Sequence, residues 1–206
     1  MPNPPGLITN RTAKLPGDLK LPPLTPRPLR IFALDPAALT GWCYNDGQHR
    51  LYGRVKVTSE ADVHPGDRNV RFLDWLTRML AQHPSDLVAY EEAGFGASNN
   101  PHIAAMHAEL RGLIKIAACD KGIRCVPLNI GTIKKFATGS GHAKKPQMIA
   151  AAERFFGLTG LDDNEADAVF IEALARNNET NLMAKLHAKP KKQRQKTRRT
   201  SEPRLF

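Results

Sequence analysis

The sequence predicts an α/β fold in which a mixed five-stranded sheet carries helices on its faces. Three observations predict it. Residues 31–57 hold three short apolar runs joined by turns, residues 68–177 alternate helical periodicity with two further apolar runs, and two of the five runs end on a carboxylate. Strands that follow one another across tight turns pair antiparallel, whereas strands separated by a helix pair in parallel.

The first strand is Ile31-Phe32-Ala33-Leu34, ending at Asp35; an unbroken apolar run of this length is a buried strand. After the segment PAALTGW, Trp42, Cys43 and Tyr44 form the second, and Asn45-Asp46-Gly47 supplies a hairpin turn. In the third, Leu51, Gly53, Val55 and Val57 alternate and are predicted to point inward. Over 68–82 the period changes, and Val70, Leu73, Leu76 and Leu80 mark one face of an amphipathic helix flanked by Phe72, Trp75 and Met79. Leu87 to Tyr90 is the fourth strand, running straight into Glu91 and Glu92 and then the glycine-rich loop GFGASNN. A long helix over 101–121 opens at Pro101, a residue suited to a first turn. Ile123 to Val126 is the fifth strand, and helices near 131–137, 145–156 and 164–177 complete the domain.

Charge and composition divide the 206 residues into three parts. The net charge is +10, yet residues 31–184 carry a net of −2, while 1–30 carry +4 and 185–206 carry +8. Eight of the 16 prolines lie in the first 30 residues, which predicts an extended, unpacked arm. The tail KPKKQRQKTRR has almost nothing to bury and is expected to be disordered alone. It is either a solubilising segment or a DNA-contacting arm. That leaves 31–184 as one compact domain. No apolar stretch approaches the roughly 18 residues needed to cross a bilayer. Cys43, Cys119 and Cys125 are odd in number and hold no CxxC pair, so neither a disulfide framework nor a zinc ribbon is supported. The expectation is a reducing, cytoplasmic setting, in a bacterial or phage-infected cell, and not secretion.

The carboxylates carry the chemistry. Asp35 and Glu91 each sit where an apolar strand stops, so both can point from one sheet edge into a shared cleft. A third cluster, Asp162-Asp163-Asn164-Glu165-Ala166-Asp167, precedes an apolar run. Asp163 and Asp167 are four apart and share a helix face, Asn164 lies nearly as close, and Glu165 points away. Asp162 is best read as a helix-start residue. Oxygen donors in such a set suit Mg2+, with Mn2+ able to substitute, and two such ions can activate water and stabilise a leaving 3′ oxygen.

In this order the motifs FALDPAALTGW (32–42), VAYEE (88–92), AAMHAELRG (104–112), IGTIKKFATGSGHAKKPQMI (130–149) and DDNEADAVFI (162–171) resemble the RuvC family of Holliday-junction resolvases. The resemblance is to its short phage-type members in particular, within the ribonuclease H-like superfamily, and covers most of 31–175 but neither end. It implies a ribonuclease H-like fold and a Mg2+-dependent endodeoxyribonuclease. Such an enzyme acts as a homodimer and nicks four-way junctions to leave 5′-phosphate and 3′-hydroxyl ends. Asp35, Glu91 and Asp167 look like metal ligands. The remaining family acid lies three residues before the last, where this chain has Asn164. Asp163 is then the best-placed fourth ligand, ahead of Asn164 and Glu165.

In the family, lysines matching Lys134 and Lys145 contact the junction near the scissile phosphate, and Lys135 and Lys144 lie beside them. A phosphodiester entering a carboxylate cluster needs such countercharge. Phe95, in the glycine-rich loop, lies close to a family aromatic that wedges against unstacked junction bases. Gly131-Thr132 can present backbone amides to a phosphate. His107 reads as a packed helix residue, and His142, in the lysine loop, as a possible phosphate contact. Ile103, Met106, Leu110, Leu113 and Ile114 suit either a subunit interface or packing on the sheet. Two other readings stay open: a branched-DNA binder whose metal set has decayed, motivated by Asn164, and another nuclease on the same fold.

Deleting 185–206 is expected to lower DNA affinity and flatten its salt dependence while leaving metal-dependent cutting intact, because each cation withdrawn from phosphate removes released counterions. Binding titrations at two salt concentrations check this. An unchanged salt slope would mark the tail as solubilising only.

Overall fold

The computed structural model describes residues 27–64, 66–92 and 100–187. The arm up to residue 26, the loop 93–99 with Phe95, and the tail from residue 188 lie outside the described residues. The elements run β1 (Ile31–Asp35), β2 (Leu39–Asn45), β3 (Arg50–Lys56), α1 (Asp67–Gln82), β4 (Leu87–Glu92), α2 (Pro101–Asp120), β5 (Arg124–Asn129), α3 (Ile130–Thr138), α4 (Lys145–Phe156) and α5 (Asp163–His187).

The sheet order is β3-β2-β1-β4-β5. β1 is antiparallel to β2 and parallel to β4, β2 is antiparallel to β3, and β4 is parallel to β5. The predicted mixed sheet is therefore the one observed. Central β1 is buried on both faces, and its alternating side chains feed two cores. Ile31 and Ala33 pack with Ala89 and the buried side of α5, while Phe32 and Leu34 pack with Phe72, Leu76, Leu110 and Ile114 of α1 and α2. The hairpin between β2 and β3 turns at Gly47 (φ 93), with Asp46 Oδ1 accepting from the amides of Gln48 (2.8 Å) and His49 (2.7 Å).

Several expectations are corrected. β2 starts at Leu39, so Thr40 and Gly41 of the segment before Trp42 already belong to the strand. Leu51 is exposed: β3 is an edge strand, and the core on that face reaches only Val55 and Val57. Val70 is 71% exposed, because the buried stripe of α1 is Phe72, Leu76 and Leu80, and Val70 lies nearly opposite Phe72 on the helix. In α2, Leu110 and Ile114 pack on the sheet, whereas Ile103 is exposed. α5 continues past 177 to His187, held beyond the sheet by the ion pair of Glu179 with Arg124 at the start of β5. Among the described residues no helix is long and apolar enough to cross a membrane.

At Gly41 the backbone of the sheet meets the first turn of α5. A Cβ built there would lie 2.0 Å from the backbone oxygen of Asn164 and 3.1 Å from its Cβ. Only a residue without a side chain lets the first turn of α5 rest on β2. Gly41→Ala is expected to lower the unfolding free energy by about 2 kcal/mol, the scale of an overpacked core. Urea denaturation measures it, and an unchanged midpoint would mean that α5 can lift without loss.

Candidate active site

The C-terminal edge of β1 and β4 builds the site. Leu34 is abreast of Tyr90 in the parallel pair, so Asp35 and Glu91 emerge together where the two strands end. Ala33 and Ala89 face α5, and side chains two residues on return to the same face. α5 brings Asp163 and Asp167 to that edge. The carboxyls of Asp35, Glu91 and Asp167 each feel a neighbouring carboxylate. Burial first, then the charges of Glu91, Asp167 and Asp163, push the Asp35 carboxyl well above its ordinary range, while Lys145 pulls it back. Glu91 is pushed up to about 7 by burial and then by Asp167, against the opposing charges of Lys134 and Arg111. Asp167 is pushed up to about 6, chiefly by burial, with Lys134 and Lys145 opposing and Asp163 adding.

Two lysines stand in this negative field. Lys145, at the start of α4, forms an ion pair with Asp163, and that contact raises its ammonium above the ordinary value, with Asp167 and Asp35 adding. Lys134 on α3 acts on both Glu91 and Asp167. Lys135, one residue on, is exposed and is not among the charges that move either carboxylate; Lys144 is exposed at the cap of α4. Neither reaches the carboxylates in the way Lys134 and Lys145 do.

The acidic cluster at the head of α5 divides by role. Asp162 and Glu165 cap the helix reciprocally: Asp162 Oδ1 accepts from the Glu165 amide at 2.9 Å, and a Glu165 carboxylate oxygen accepts from the Asp162 amide at 3.0 Å. Arg54 of β3 also pairs with Asp162. Asn164 is turned toward Asp162 and packs its backbone on Gly41. Asp163 is left as the residue of the cluster, beside Asp167, whose charge reaches Asp35.

Oxygen donors are what the site offers. Asp167 Oδ1 is buried and has no hydrogen-bond partner, an arrangement that costs free energy unless a proton or cation satisfies it. Carboxylates of this kind fit a hard divalent cation. Among the described residues no three His, Cys, Asp or Glu side chains stand close enough to close a metal site by themselves. Asp163 is engaged by Lys145. Three smaller expectations also meet the structure. The amides of Gly131 and Thr132 are already taken by Asn129 Oδ1, at 2.9 and 3.4 Å, so this helix start is capped from within. His107 is half-buried, and burial followed by Arg111 lowers its pKa. His142 is exposed.

The sheet order β3-β2-β1-β4-β5 with helices on its faces is a ribonuclease H-like fold. A family model described as crossover junction endodeoxyribonuclease RuvC matches residues 49–175, more than half of the chain. The chain belongs to the RuvC family. RuvC of Fusobacterium nucleatum subsp. nucleatum is 26% identical over 149 residues, covering 69% of this chain and 77% of that protein. The Thermus thermophilus RuvC structure superposes with a TM-score of 0.62 at 22% identity, over 74% of this chain and 97% of that one. A T. thermophilus RuvC in complex with a Holliday junction substrate gives 0.61 at 19% identity, over 73% and 96%. The family match begins beyond β1, so Asp35 is brought into the set by strand pairing with β4.

The raised carboxyls fix the sign of a pH effect. Between about pH 4, where unfolded carboxyls titrate, and about 7, where Glu91 does in the folded chain, the native state holds more protons than the unfolded one. Its stability therefore falls as pH rises through that window. Asp167→Asn removes one of the crowded charges. It is expected to raise the unfolding free energy at about pH 8 by on the order of 2 kcal/mol and to flatten the slope. Chemical denaturation across this range tests it; a variant less stable than the parent at every pH would contradict the crowding.

Proposed function

We propose that the protein is a Mg2+-dependent endonuclease that resolves four-way DNA junctions. The observation that carries this reading is the gathering of Asp35, Glu91, Asp163 and Asp167 at one sheet edge, with Lys134 and Lys145 beside them. Asp35, Glu91, Asp163 and Asp167 would hold the metal, two ions in the fullest arrangement, and Mn2+ would replace Mg2+. When bound, the metal supplies Lewis-acid stabilisation of the phosphoryl group and lowers the pKa of the attacking water.

The chain's own residues do the rest. Lys145 lies against Asp163 and can exchange that carboxylate for a phosphate oxygen as DNA arrives, acting as a point charge near the reacting centre. Lys134, whose charge acts on both Glu91 and Asp167, offsets negative charge where the phosphodiester must approach. Water oxygen adds to phosphorus and the P–O3′ bond breaks, leaving 5′-phosphate and 3′-hydroxyl ends. Phe95, from the loop after Glu92, is proposed to stack on an unpaired junction base, and Lys135 and Lys144 to meet phosphates further out. A homodimer is the natural reader of a four-way junction, since two equivalent strands need two equivalent sites.

The test is cleavage of a synthetic four-way junction against a flap and an RNA–DNA hybrid, with Mg2+ or Mn2+ added. The junction is expected to be cut in preference, and Asp35→Asn to lower cutting by at least about 1,000-fold while junction binding survives. Binding without product across both metal titrations would support a non-catalytic junction binder instead. Preference for the hybrid or flap would assign another nuclease activity on this fold.

A further inference from the structure

α5 carries two of the four carboxylates, so its place along the sheet decides where they stand. Its buried residues include Ala166, Ala168, Val169, Phe170, Ile171, Leu174 and Ala175, spread over most of its circumference. Apolar contacts of this kind favour burial but are non-directional. A slip of one residue moves a helix about 1.5 Å and turns it about 100°, enough to remove Asp163 and Asp167 from Asp35.

One buried group resists such a slip. Glu172 is wholly buried. One carboxylate oxygen accepts from Arg50 Nη2 at 3.0 Å and the other from Arg176 Nε at 2.7 Å. Arg176 in turn donates to the carbonyls of Leu29 (2.8 Å) and Asn45 (3.0 Å), just before β1 and at the end of β2. The Arg50 guanidinium stands 4.4 Å over the ring of Phe156, the last residue of α4. The helix is thus tied to three strands' ends and to α4 through one carboxylate. Such a triad is a poor route to stability, because desolvating its charges, Glu172 wholly and the two arginines in part, rivals their attraction, and Arg50 Nε is buried without a hydrogen bond. What it does well is penalise every arrangement but one, since any displaced register strands a buried charge.

We propose that Arg50, Glu172 and Arg176 are positioning residues of the nuclease site: they set the register of α5 and so hold Asp163 and Asp167 opposite Asp35. The inference rests on the reading of those carboxylates as the metal-binding site. Gly41 seats the helix at Asn164, the triad pins it two turns further on, and Asp167 lies between the two anchors.

Three variants of the full-length chain test this: Glu172→Gln, Arg50→Met and, as control, Leu80→Ala in the core on the opposite sheet face. Mn2+ affinity is measured calorimetrically on protein without DNA, junction cutting is measured as kcat and KM, and circular dichroism confirms folding at the assay temperature. Glu172→Gln and Arg50→Met are expected to weaken Mn2+ binding by about tenfold or more and to lower kcat while KM holds. Leu80→Ala is expected to lower the melting temperature and move neither. If Glu172→Gln does not fold, Arg50→Met decides, since it leaves Glu172 paired with Arg176. Folded variants that bind Mn2+ and cut like the parent overturn the proposal. A parent chain that neither binds Mn2+ nor cuts would instead overturn the nuclease reading, and the triad's role with it.

Discussion

Carboxylates that must stand together in a partly desolvated cleft repel one another, and this repulsion is the constraint around which the fold is arranged. Asp35, Glu91 and Asp167 are each forced above their ordinary titration range by burial, and each adds to or receives from its neighbours. No carboxylate could be held so by a loop. Asp35 and Glu91 are instead fixed by adjacent parallel strands whose backbones pair through four residues before either acid is reached. Asp163 and Asp167 are fixed by a helix that rests on bare backbone at Gly41. The unfavourable charge is concentrated in one place and offset locally by Lys134 and Lys145, which is why a chain of net charge +10 has a slightly acidic core.

The two sheet faces divide the labour. The face covered by α1 and α2 is a core of large side chains, with Phe32, Phe72, Tyr90, Leu110 and Ile114 among them. Aromatic stacking of Phe32 on Trp42, with centroids 6.0 Å apart, adds to it. The face covered by α5 mixes alanines with larger side chains such as Phe170, Ile171 and Leu174, and the bare backbone at Gly41 lets the head of the helix approach the sheet. The buried triad at Glu172 and the ion pair of Glu179 with Arg124 add directional contacts that apolar packing lacks. The entry to β1 is tied down separately, by Arg27 and Arg30 gripping Asp86. Arg27 and Arg30 hold that carboxyl well below the usual carboxylate range.

The local signals for this architecture were strong where burial and turn chemistry coincide. IFALD and LVAYEE read as strands ending in acids because every residue before the acid is apolar, and Asn45-Asp46-Gly47 reads as a turn because its side chains hold their own backbone. Less legible was anything decided between elements. Val70 fits a helical apolar face as well as Phe72 does, and only the position of the sheet decides which is buried. Gly41 precedes the apolar run that marks the second strand, although a glycine between strand residues is itself a mark of close backbone approach. Glu172, in an apolar helix segment, was visible as an anomaly, but its partners lie 122 residues back at Arg50 and four residues on at Arg176, and pairing at the longer distance has no sequence signature. Phe95 lies outside the described residues, so its place was read from the loop sequence alone.

The departure at Asn164 shows how a helix can accommodate a shifted acid. Viewed down α5, a residue four positions before Asp167 lies about 40° from it and one three positions before lies about 60° away, on the other side. Either can present an oxygen to the same cleft, so moving the acid by one residue need not empty the site. What the shift alters is the neighbourhood. Asn164 takes the side facing β2, where its backbone meets Gly41 and its side chain meets Asp162. Asp163 takes the side facing α4, where Lys145 receives it. An acid at 164 in place of Asp163 would leave the charge of the helix start unchanged but set it beside the Asp162–Glu165 cap. An acid at 163 instead sits under the ammonium of Lys145. On the proposed reading, position 163 therefore presents the fourth carboxylate to the same cleft and pairs it with the cation beside it.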